Sequence, residues 1–235
     1  MKRLFLITTC LLAVVAINAQ SLEEIVKEYS AANKLDQISN KQTIKISANM
    51  SMMGMEMPME MWMKKPNKIK TVTNMGGQEM IQVFDGEKGY TVNPMMGSTD
   101  PVEMTAEQVN DIQKNNIFQN YLDTYLKKGQ LTLEGEDSVN GKPAFKIKAA
   151  LEGGASATLF IDKDTYLLLK TTTDITQGGM AMTVESVPSD YTDNNGVFLP
   201  MKTTSSVSGM DMEIVTTFTK VEVDVPIDDS VFKIK

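Results

Sequence analysis

The stretch Met55-Glu56-Met57-Pro58-Met59-Glu60-Met61-Trp62-Met63-Lys64 alternates methionine with other residues along its whole length. A period of two is typical of a β-strand that presents one face to the protein interior. The preceding stretch, 43–52, alternates in the same way and is separated from the first by Gly54. We therefore predict an antiparallel hairpin, and Pro58 indicates an edge strand or a bulge at its position.

The same period of two continues through most of the remaining chain, and turn signals such as Asn140-Gly141 and Asn195-Gly196 separate the strands. We predict a mainly β protein with helices, in which about ten to twelve antiparallel strands form one sheet that must curl into an open or closed barrel, with the helices inside it or over its mouth. The stretch 94–101, which contains two prolines, is predicted as a loop.

Two helical segments interrupt the strands. Ser21 and Glu24 form a capping-box pattern, and apolar residues at near-helical spacing predict one amphipathic helix over 22–38. Thr105 and Gln108 repeat this pattern ahead of one or two short helices that end near Gly129. We expect this insert to cover one face of the sheet as a lid.

The N-terminal residues 1–19 resemble a secretory signal peptide. Met1-Lys2-Arg3 is basic, an apolar run follows, and Ala19 offers a small residue for cleavage. The run is too short for a typical membrane span, and Cys10 lies within it. We predict an exported protein whose remaining residues, 20–235, form a single domain, because no linker-like segment divides that range.

The composition excludes several classes of function. The chain has no histidine, and its one cysteine is Cys10, so disulfides, Ser–His nucleophiles and ordinary zinc sites are not expected. The net charge of −7 argues against binding to nucleic acid or to anionic membranes. We therefore expect neither catalysis nor a cofactor.

The methionines are the most unusual feature, since the chain contains 19 of them. They could simply fill an ordinary core. They could also line a cavity for a variable apolar ligand, because methionine is flexible and polarisable and repacks around different shapes. A third possibility is copper, because thioether sulfurs select Cu(I). The residues alone leave all three readings open.

Several motifs occur in the order found in one known family. They are Met61-Trp62-Met63-Lys64-Lys65-Pro66-Asn67-Lys68-Ile69, then Asp85-Gly86 leading to Asn93-Pro94, then 161–170, Gly196-Val197-Phe198-Leu199-Pro200, and finally 228–232. In this order and spacing the chain resembles the LolA family of periplasmic outer-membrane lipoprotein carriers.

The resemblance implies a half-open barrel with a helical lid over an apolar cavity. It also implies a monomeric carrier that takes lipoprotein acyl chains from an inner-membrane ABC-type release complex and passes them to an outer-membrane acceptor. The family has an arginine that holds the lid closed through backbone hydrogen bonds. Lys65 stands at that position, and a lysine lacks the planar fork of arginine.

From this reading we predict a ligand-binding cavity, a lid and a lid latch, the latch being Lys65. The predicted lid residues are Ile117, Phe118, Tyr121 and Leu122. The predicted cavity residues are Met55, Met57, Met59, Met61, Met63, Ile69, Met80, Met182 and Met212. A register slip of one residue would instead turn Trp62 toward the ligand. A copper-binding envelope protein and a lipid-sensing adaptor on the same half-barrel remain as alternative functions.

Overall fold

The computed structural model describes residues 20–113, 116–151, 154–177, 180–210 and 212–234. The predicted signal peptide, 1–19, lies outside the described residues. Within those ranges, no helix is both long enough and apolar enough to cross a membrane.

The described residues form thirteen strands and four α-helices. The strands are β1 (Thr43–Met52), β2 (Met55–Lys64), β3 (Lys68–Met75), β4 (Gln78–Phe84), β5 (Gly89–Asn93), β6 (Ser98–Glu103), β7 (Leu131–Val139), β8 (Lys142–Ala150), β9 (Ser156–Asp162), β10 (Leu168–Gln177), β11 (Met180–Asn194), β12 (Val197–Val207) and β13 (Glu213–Val223). The helices are α1 (Leu22–Ala32), α2 (Leu35–Ile38), α3 (Ala106–Gln113) and α4 (Tyr121–Lys127).

All thirteen strands belong to one open antiparallel sheet in the order β6-β5-β4-β3-β2-β1-β13-β12-β11-β10-β9-β8-β7. Two meanders, β1–β6 and β7–β13, therefore meet where β1 pairs with β13. The segment that contains α3 and α4 connects the two edge strands, β6 and β7. The predicted open antiparallel sheet with helices is confirmed.

The sheet has more strands than predicted because part of the expected loop at 94–101 is the strand β6. The Asn93 side chain accepts a hydrogen bond from the Met95 amide and starts a short 3₁₀ turn, Pro94–Met96. Gly97 follows with a φ of 84°, and the chain returns along β5. The backbone of Pro101 is tolerated because β6 is an edge strand.

The predicted single helix over 22–38 is divided into α1 and α2. Both capping hydrogen bonds between Ser21 and Glu24 are present at its start, as expected. The break occurs at Lys34, whose φ is 50°, so the helical hydrogen-bond pattern cannot continue through it. The Lys34 ammonium forms an ion pair with Asp193 on β11 and lies 5.7 Å from the ring centre of Phe198.

The helices cover only one face of the sheet, which we call the inner face. One buried cluster joins β1–β4 with α2 and α3, and it includes Ile44, Ile69 and Phe118. A second cluster joins β7–β9 with α1 and α4. A third lies on the opposite, outer face, where the C-terminal residues Ile227 and Phe232 pack against Val83.

Because the sheet is antiparallel, its turns lie at two opposite ends. At the upper end are the β1–β2, β3–β4, β5–β6, β8–β9, β10–β11 and β12–β13 turns. At the lower end are the β2–β3, β4–β5, β7–β8, β9–β10 and β11–β12 turns. The predicted Asn-Gly turns at 140–141 and 195–196 are confirmed at the lower end, where both residues have positive φ as a type I′ turn requires.

Candidate functional site

A cavity of about 250 Å³ lies between the helices and the inner face of the sheet. Its helical side is formed by α1, α2, α4 and the segment before α4, and its sheet side by β11 and β12 with the first residue of β10. The lining residues are Tyr29, Asn33, Leu35, Ile38, Ile117, Gln119, Asn120, Tyr121, Leu122, Leu168, Pro188, Tyr191, Phe198, Leu199 and Pro200. The lining is therefore mainly apolar and aromatic.

Two tyrosines in this lining stay neutral over the ordinary pH range. Desolvation raises the pKa of Tyr29 to about 12. Desolvation, and next the neighbouring Tyr29, raise the pKa of Tyr191. The Tyr191 hydroxyl donates a hydrogen bond to the Leu168 carbonyl at 3.0 Å, and its ring stacks on Phe198 with 5.6 Å between the ring centres. The lining thus contains amphipathic rings without a charge.

The predicted lid residues all lie at this site. Ile117, Tyr121 and Leu122 line the cavity, and Phe118 is buried beside it in the cluster with Ile69 and Met63. The Tyr121 hydroxyl donates a hydrogen bond to the Gln113 carbonyl at 2.5 Å, which connects the end of α3 with the start of α4.

The α4 helix is also tied to α1 through Asn120. Its side-chain oxygen caps α4 by accepting from the Asp123 amide, and its Nδ2 donates to the Ser30 hydroxyl at 2.9 Å. One asparagine side chain therefore both starts α4 and holds it against α1. A capping position in the sequence suggests the first contact, but nothing in the sequence near Asn120 indicates the second.

Lys65 makes two contacts with the covering elements. Its ammonium donates a hydrogen bond to the Ser39 carbonyl at the C-terminal end of α2, and it lies 5.6 Å from the ring centre of Phe118. Next to it, the Asn116 side chain donates to the Pro66 carbonyl at 3.3 Å. The β2–β3 turn is thus joined to α2 and to the segment between α3 and α4.

The predicted cavity residues lie at three levels of the sheet. Met61, Met63 and Ile69 belong to the cluster under α2 and α3, while Met57 and Met59 are buried farther up β2 on the same face. Met55, Met80, Met182 and Met212 lie at the upper end of the sheet, beyond the cavity lining; Met55 is half exposed, at 50%. None of the nine lines this cavity.

Trp62 faces away from this site. It packs on the outer face with Val83 and the C-terminal Phe232, and the Lys45 ammonium lies 5.5 Å from its ring centre. The hairpin register pairs Met63 with Ile44 and Met61 with Ile46, so it is the odd-numbered methionines of β2 that share the inner face with the helices.

Several cavity residues were missed from the sequence, above all Tyr29, Leu35, Tyr191 and Phe198. Tyr29 and Leu35 belong to the apolar stripe of the predicted helix. The spacing of this stripe predicts that it is buried, but not which strands it packs against. Tyr191 and Phe198 flank the Asn195-Gly196 turn at diagonal positions of the hairpin, and aromatic residues on both of its strands are the signal that could have indicated them. No group of three or more His, Cys, Asp or Glu side chains capable of holding a metal occurs among the described residues.

Comparison with known proteins gives matches at the level of structure. No family model matches the sequence, and no curated protein sequence matches it. A DUF1329 family protein from Desulfovibrio piger superimposes with a TM-score of 0.63 at 15% identity, covering 89% of this chain and 97% of that one. A LolA superfamily protein from Nitrosomonas europaea gives 0.59 at 10% identity, covering 92% and 98%.

A third solved structure is assigned as an outer membrane lipoprotein-sorting protein domain from Vibrio parahaemolyticus. It superimposes with a TM-score of 0.58 at 10% identity, covering 89% of this chain and 94% of that one. These similarities extend over nearly the whole described chain and agree with the open sheet and its covering helices. The chain has a LolA-like fold.

Proposed function

We propose that this protein is a carrier in the bacterial cell envelope that binds the acyl chains of lipoproteins and moves them from the inner to the outer membrane. The observation that carries the proposal is the apolar cavity of about 250 Å³ between the helices and the sheet. Its uncharged aromatic and aliphatic lining suits a hydrocarbon chain. The LolA-like fold supports the same reading.

The size of the cavity requires it to open during binding. Pockets for drug-sized ligands measure roughly 300–1,000 Å³, so a cavity of about 250 Å³ is too small for a whole acyl chain. We propose that α2 and α4 move away from the sheet and extend the cavity along the inner face. In this open state the chain would contact the residues predicted from the sequence, namely Met55, Met57, Met59, Met61, Met63, Ile69, Met80, Met182 and Met212.

Lys65 is the proposed latch of this lid, and Ile117, Phe118, Tyr121 and Leu122 are its proposed inner surface. Each buried CH₂ group contributes about 0.8 kcal/mol, so a chain of about 15 carbons would bind by roughly 12 kcal/mol if the cavity were already open. Breaking the contacts of Lys65 with Ser39 and Phe118 offsets part of that free energy. A carrier needs such an offset because it must release its cargo.

The proposal includes no covalent chemistry and no cofactor. It places the mature protein in the periplasm as a monomer, between an inner-membrane ABC-type release complex and an outer-membrane acceptor. Site-specific photo-crosslinking from exposed positions near the lid would identify both partners.

Two experiments test the carrier function. Mass spectrometry of the protein purified from its native host is expected to find acyl lipid or lipoprotein. Depletion of the protein is expected to leave lipoproteins at the inner membrane. Normal arrival of lipoproteins at the outer membrane after depletion would contradict transport, and lipid bound without such an effect would favour a sensor.

A matched pair of variants tests the site itself. Leu199→Trp places a larger side chain in the cavity lining, and it should weaken binding of a fluorescent fatty acid by roughly tenfold or more because the space for the chain is lost. Leu169→Trp makes the same change on the outer face, where Leu169 packs on Phe160, and should leave binding unchanged. Equal affinities for the two variants would place the acyl chain elsewhere.

A further inference from the structure

Methionine is distributed unequally between the two ends of the sheet. Five of the upper turns have methionine in the turn or within a few residues of it: Met52, Met53 and Met55 at β1–β2, Met75 at β3–β4, Met95 and Met96 at β5–β6, Met180 and Met182 at β10–β11, and Met210 and Met212 at β12–β13. Among the lower turns, only β2–β3 has a methionine this near, Met63, and it is buried in the cluster under the helices. We call this upper edge the methionine rim.

Part of the methionine rim faces solvent. Met53 is 76% exposed, Met95 63%, and Met55 and Met210 are each 50% exposed. Only one other large apolar side chain among the described residues, Val102, is comparably exposed. Methionines that served only as core filling would be covered, so ordinary packing does not account for this group.

At the β1–β2 hairpin, four methionines form a two-by-two array. Met52 lies directly opposite Met55, and Met50 lies directly opposite Met57, all on the inner face. Directly opposite residues of an antiparallel pair have Cβ atoms about 4.5–5.5 Å apart, and successive pairs on one face are about 7 Å apart. Each side chain has three rotatable bonds, so three or four sulfur atoms can converge on one point.

The array is only partly covered. Met57 is buried at 1% exposure, Met50 and Met52 are partly buried, and Met55 is half exposed. A small ion could therefore enter from the side of Met55 and lose its water at the side of Met57. This change in side-chain exposure across the array is absent at the lower end of β2, where Met63 is buried with Phe118 under the helices.

The charges near the array favour a cation. No lysine or arginine occurs in 46–63, in 71–87 or in 203–219, the stretches that form the neighbouring parts of β1–β4, β12 and β13. Glu56 and Glu213 lie beside the rim instead. Soft thioether sulfurs select Cu(I) among biological metal ions, whereas Ca²⁺, Mg²⁺ and Zn²⁺ prefer oxygen, imidazole or thiolate ligands.

We propose that Met50, Met52, Met55 and Met57 form a thioether site for Cu(I). The site lies outside the cavity lining under the helices, although Met55 and Met57 also belong to the extended cavity proposed for the open state. The ion binds without any change of its oxidation state, as a +1 ion held by three or four neutral sulfur atoms. The absence of histidine from the chain then favours Cu(I) over Cu(II), which prefers nitrogen and oxygen ligands.

The test is a competition titration of the purified mature chain with Cu(I) and a chromophoric chelator, under anaerobic conditions. One Cu(I) per chain is expected. Replacing all four residues with leucine, which nearly conserves volume, should weaken binding by roughly tenfold or more because the ligands are lost. The matched control replaces Met61, Met63, Met104 and Met201 with leucine and should retain the affinity of the unchanged protein.

A second measurement stays informative even if either quadruple variant folds poorly. Methionine methyl groups of the unchanged protein are labelled with ¹³C, assigned by single Met→Leu variants, and titrated with Ag(I), a redox-inert substitute for Cu(I). The signals of Met50, Met52, Met55 and Met57 should shift together and saturate at one equivalent. Shifts spread evenly over all methionines would overturn the proposal.

The same spectra also separate a metal site from a docking surface. A methionine-rich, acidic rim could instead bind a basic, apolar peptide, and a synthetic peptide of that kind is titrated in parallel. If the peptide shifts the four signals while Ag(I) leaves them unchanged, the rim binds protein and the Cu(I) site is refuted.

Discussion

Lys65 is a single residue whose contacts join the β2–β3 turn to the lid. In Lys65→Ala, the hydrogen bond to Ser39 and the cation–π contact with Phe118 are both lost. Together such contacts contribute about 1–2 kcal/mol at a partly exposed site. We expect the open state to become more populated, so that a fluorescent fatty acid binds faster and up to about tenfold more tightly.

Stopped-flow fluorescence measures this effect of Lys65. The matched control is Lys70→Ala, which removes an ammonium that lies 6.0 Å from the ring centre of Trp62 on the outer face. Lys65→Arg should keep both contacts and hold the lid at least as firmly as the unchanged protein does, so the fatty acid should not bind faster than it does to the unchanged protein. Identical association rates for Lys65→Ala and Lys70→Ala would show that Lys65 is not a latch.

Gly89 is a second single residue with a defined role, because it packs against Met104 and against Val109 of α3 and has no room for a side chain. A Cβ atom at this position would lie 2.8 Å from the Met104 sulfur and 2.9 Å from Val109 Cγ2. The Gly89 carbonyl also accepts a hydrogen bond from the Met104 amide at 2.8 Å. We expect Gly89→Ala to lower the free energy of unfolding by about 1–3 kcal/mol through overpacking, measured by urea denaturation.

A further truncation in the Gly89→Ala background distinguishes overpacking from a backbone effect. Val109→Ala removes one of the two atoms that the new methyl group would meet. It should therefore cost less stability in Gly89→Ala than in the unchanged protein. Simple additivity of the two losses would contradict the steric explanation.

At the scale of elements, the C-terminal residues 225–234 act as a strap across the outer face. Ile227 and Phe232 are buried against Val83. The Asp229 carboxylate lies 2.7 Å from the Lys64 ammonium and 2.8 Å from that of Lys68. Hydrogen bonds from Lys64 and then Lys68 are the main causes that lower the pKa of Asp229 to about 2.

This pKa gives a prediction with a definite sign. A lowered folded-state pKa stabilises the fold at pH values above the unfolded value of 3.8, and the contribution disappears as the pH falls through about 2. Asp229→Asn should therefore be less stable than the unchanged protein at pH 7, and the two should converge near pH 2. Thermal unfolding at several pH values measures the difference.

Glu222→Gln is the control for the strap, because Glu222 pairs with Lys220 on the surface and its pKa is also lowered. A surface ion pair with one lysine contributes little, so this variant should show a smaller loss at pH 7 than Asp229→Asn. If both variants lose the same stability, the two-lysine arrangement at Asp229 has no special role.

The elements themselves were predictable to different degrees. Strands with strict alternation and Asn-Gly turns were predicted because side-chain period and positive φ are local properties. The break at Lys34 was not predicted, because it depends on Asp193 and Phe198, which are distant in sequence. The strand β6 was missed because Pro101 argues against a strand unless its edge position is known.

The cavity was the least predictable feature, because it is formed by residues that are distant in the sequence. Alternation in β2 indicates which residues share a face, and the register agrees with it. Which part of that face the helices cover depends on the order of the strands in the sheet. The aromatic residues Tyr191 and Phe198 line the cavity because β11 and β12 lie opposite the α1–α2 break. Their positions on either side of the Asn195-Gly196 turn indicate a contact with each other, but they do not indicate which helices cover them.

At the scale of the whole molecule, the two faces of the sheet can be observed separately. Trp62 is the only tryptophan and lies on the outer face under the strap. We expect fatty-acid binding to leave its emission maximum unchanged. Phe232→Ala, which uncovers the ring, should shift the maximum to longer wavelength and lower the free energy of unfolding by about 3–5 kcal/mol. A shift on fatty-acid binding would show that the two faces are coupled.

The pairing of β1 with β13 at the centre of the sheet also has a consequence for how the chain acquires its structure. Ile44 lies opposite Val223, so the middle of the sheet joins residues that are 179 positions apart in the sequence. Such distant contacts are slow to form because a large loop must close first. Until β13 emerges and docks, the apolar edge of β1 is open to pairing with other chains. Folding should therefore be slow, and the nascent protein should depend on chaperones that delay aggregation.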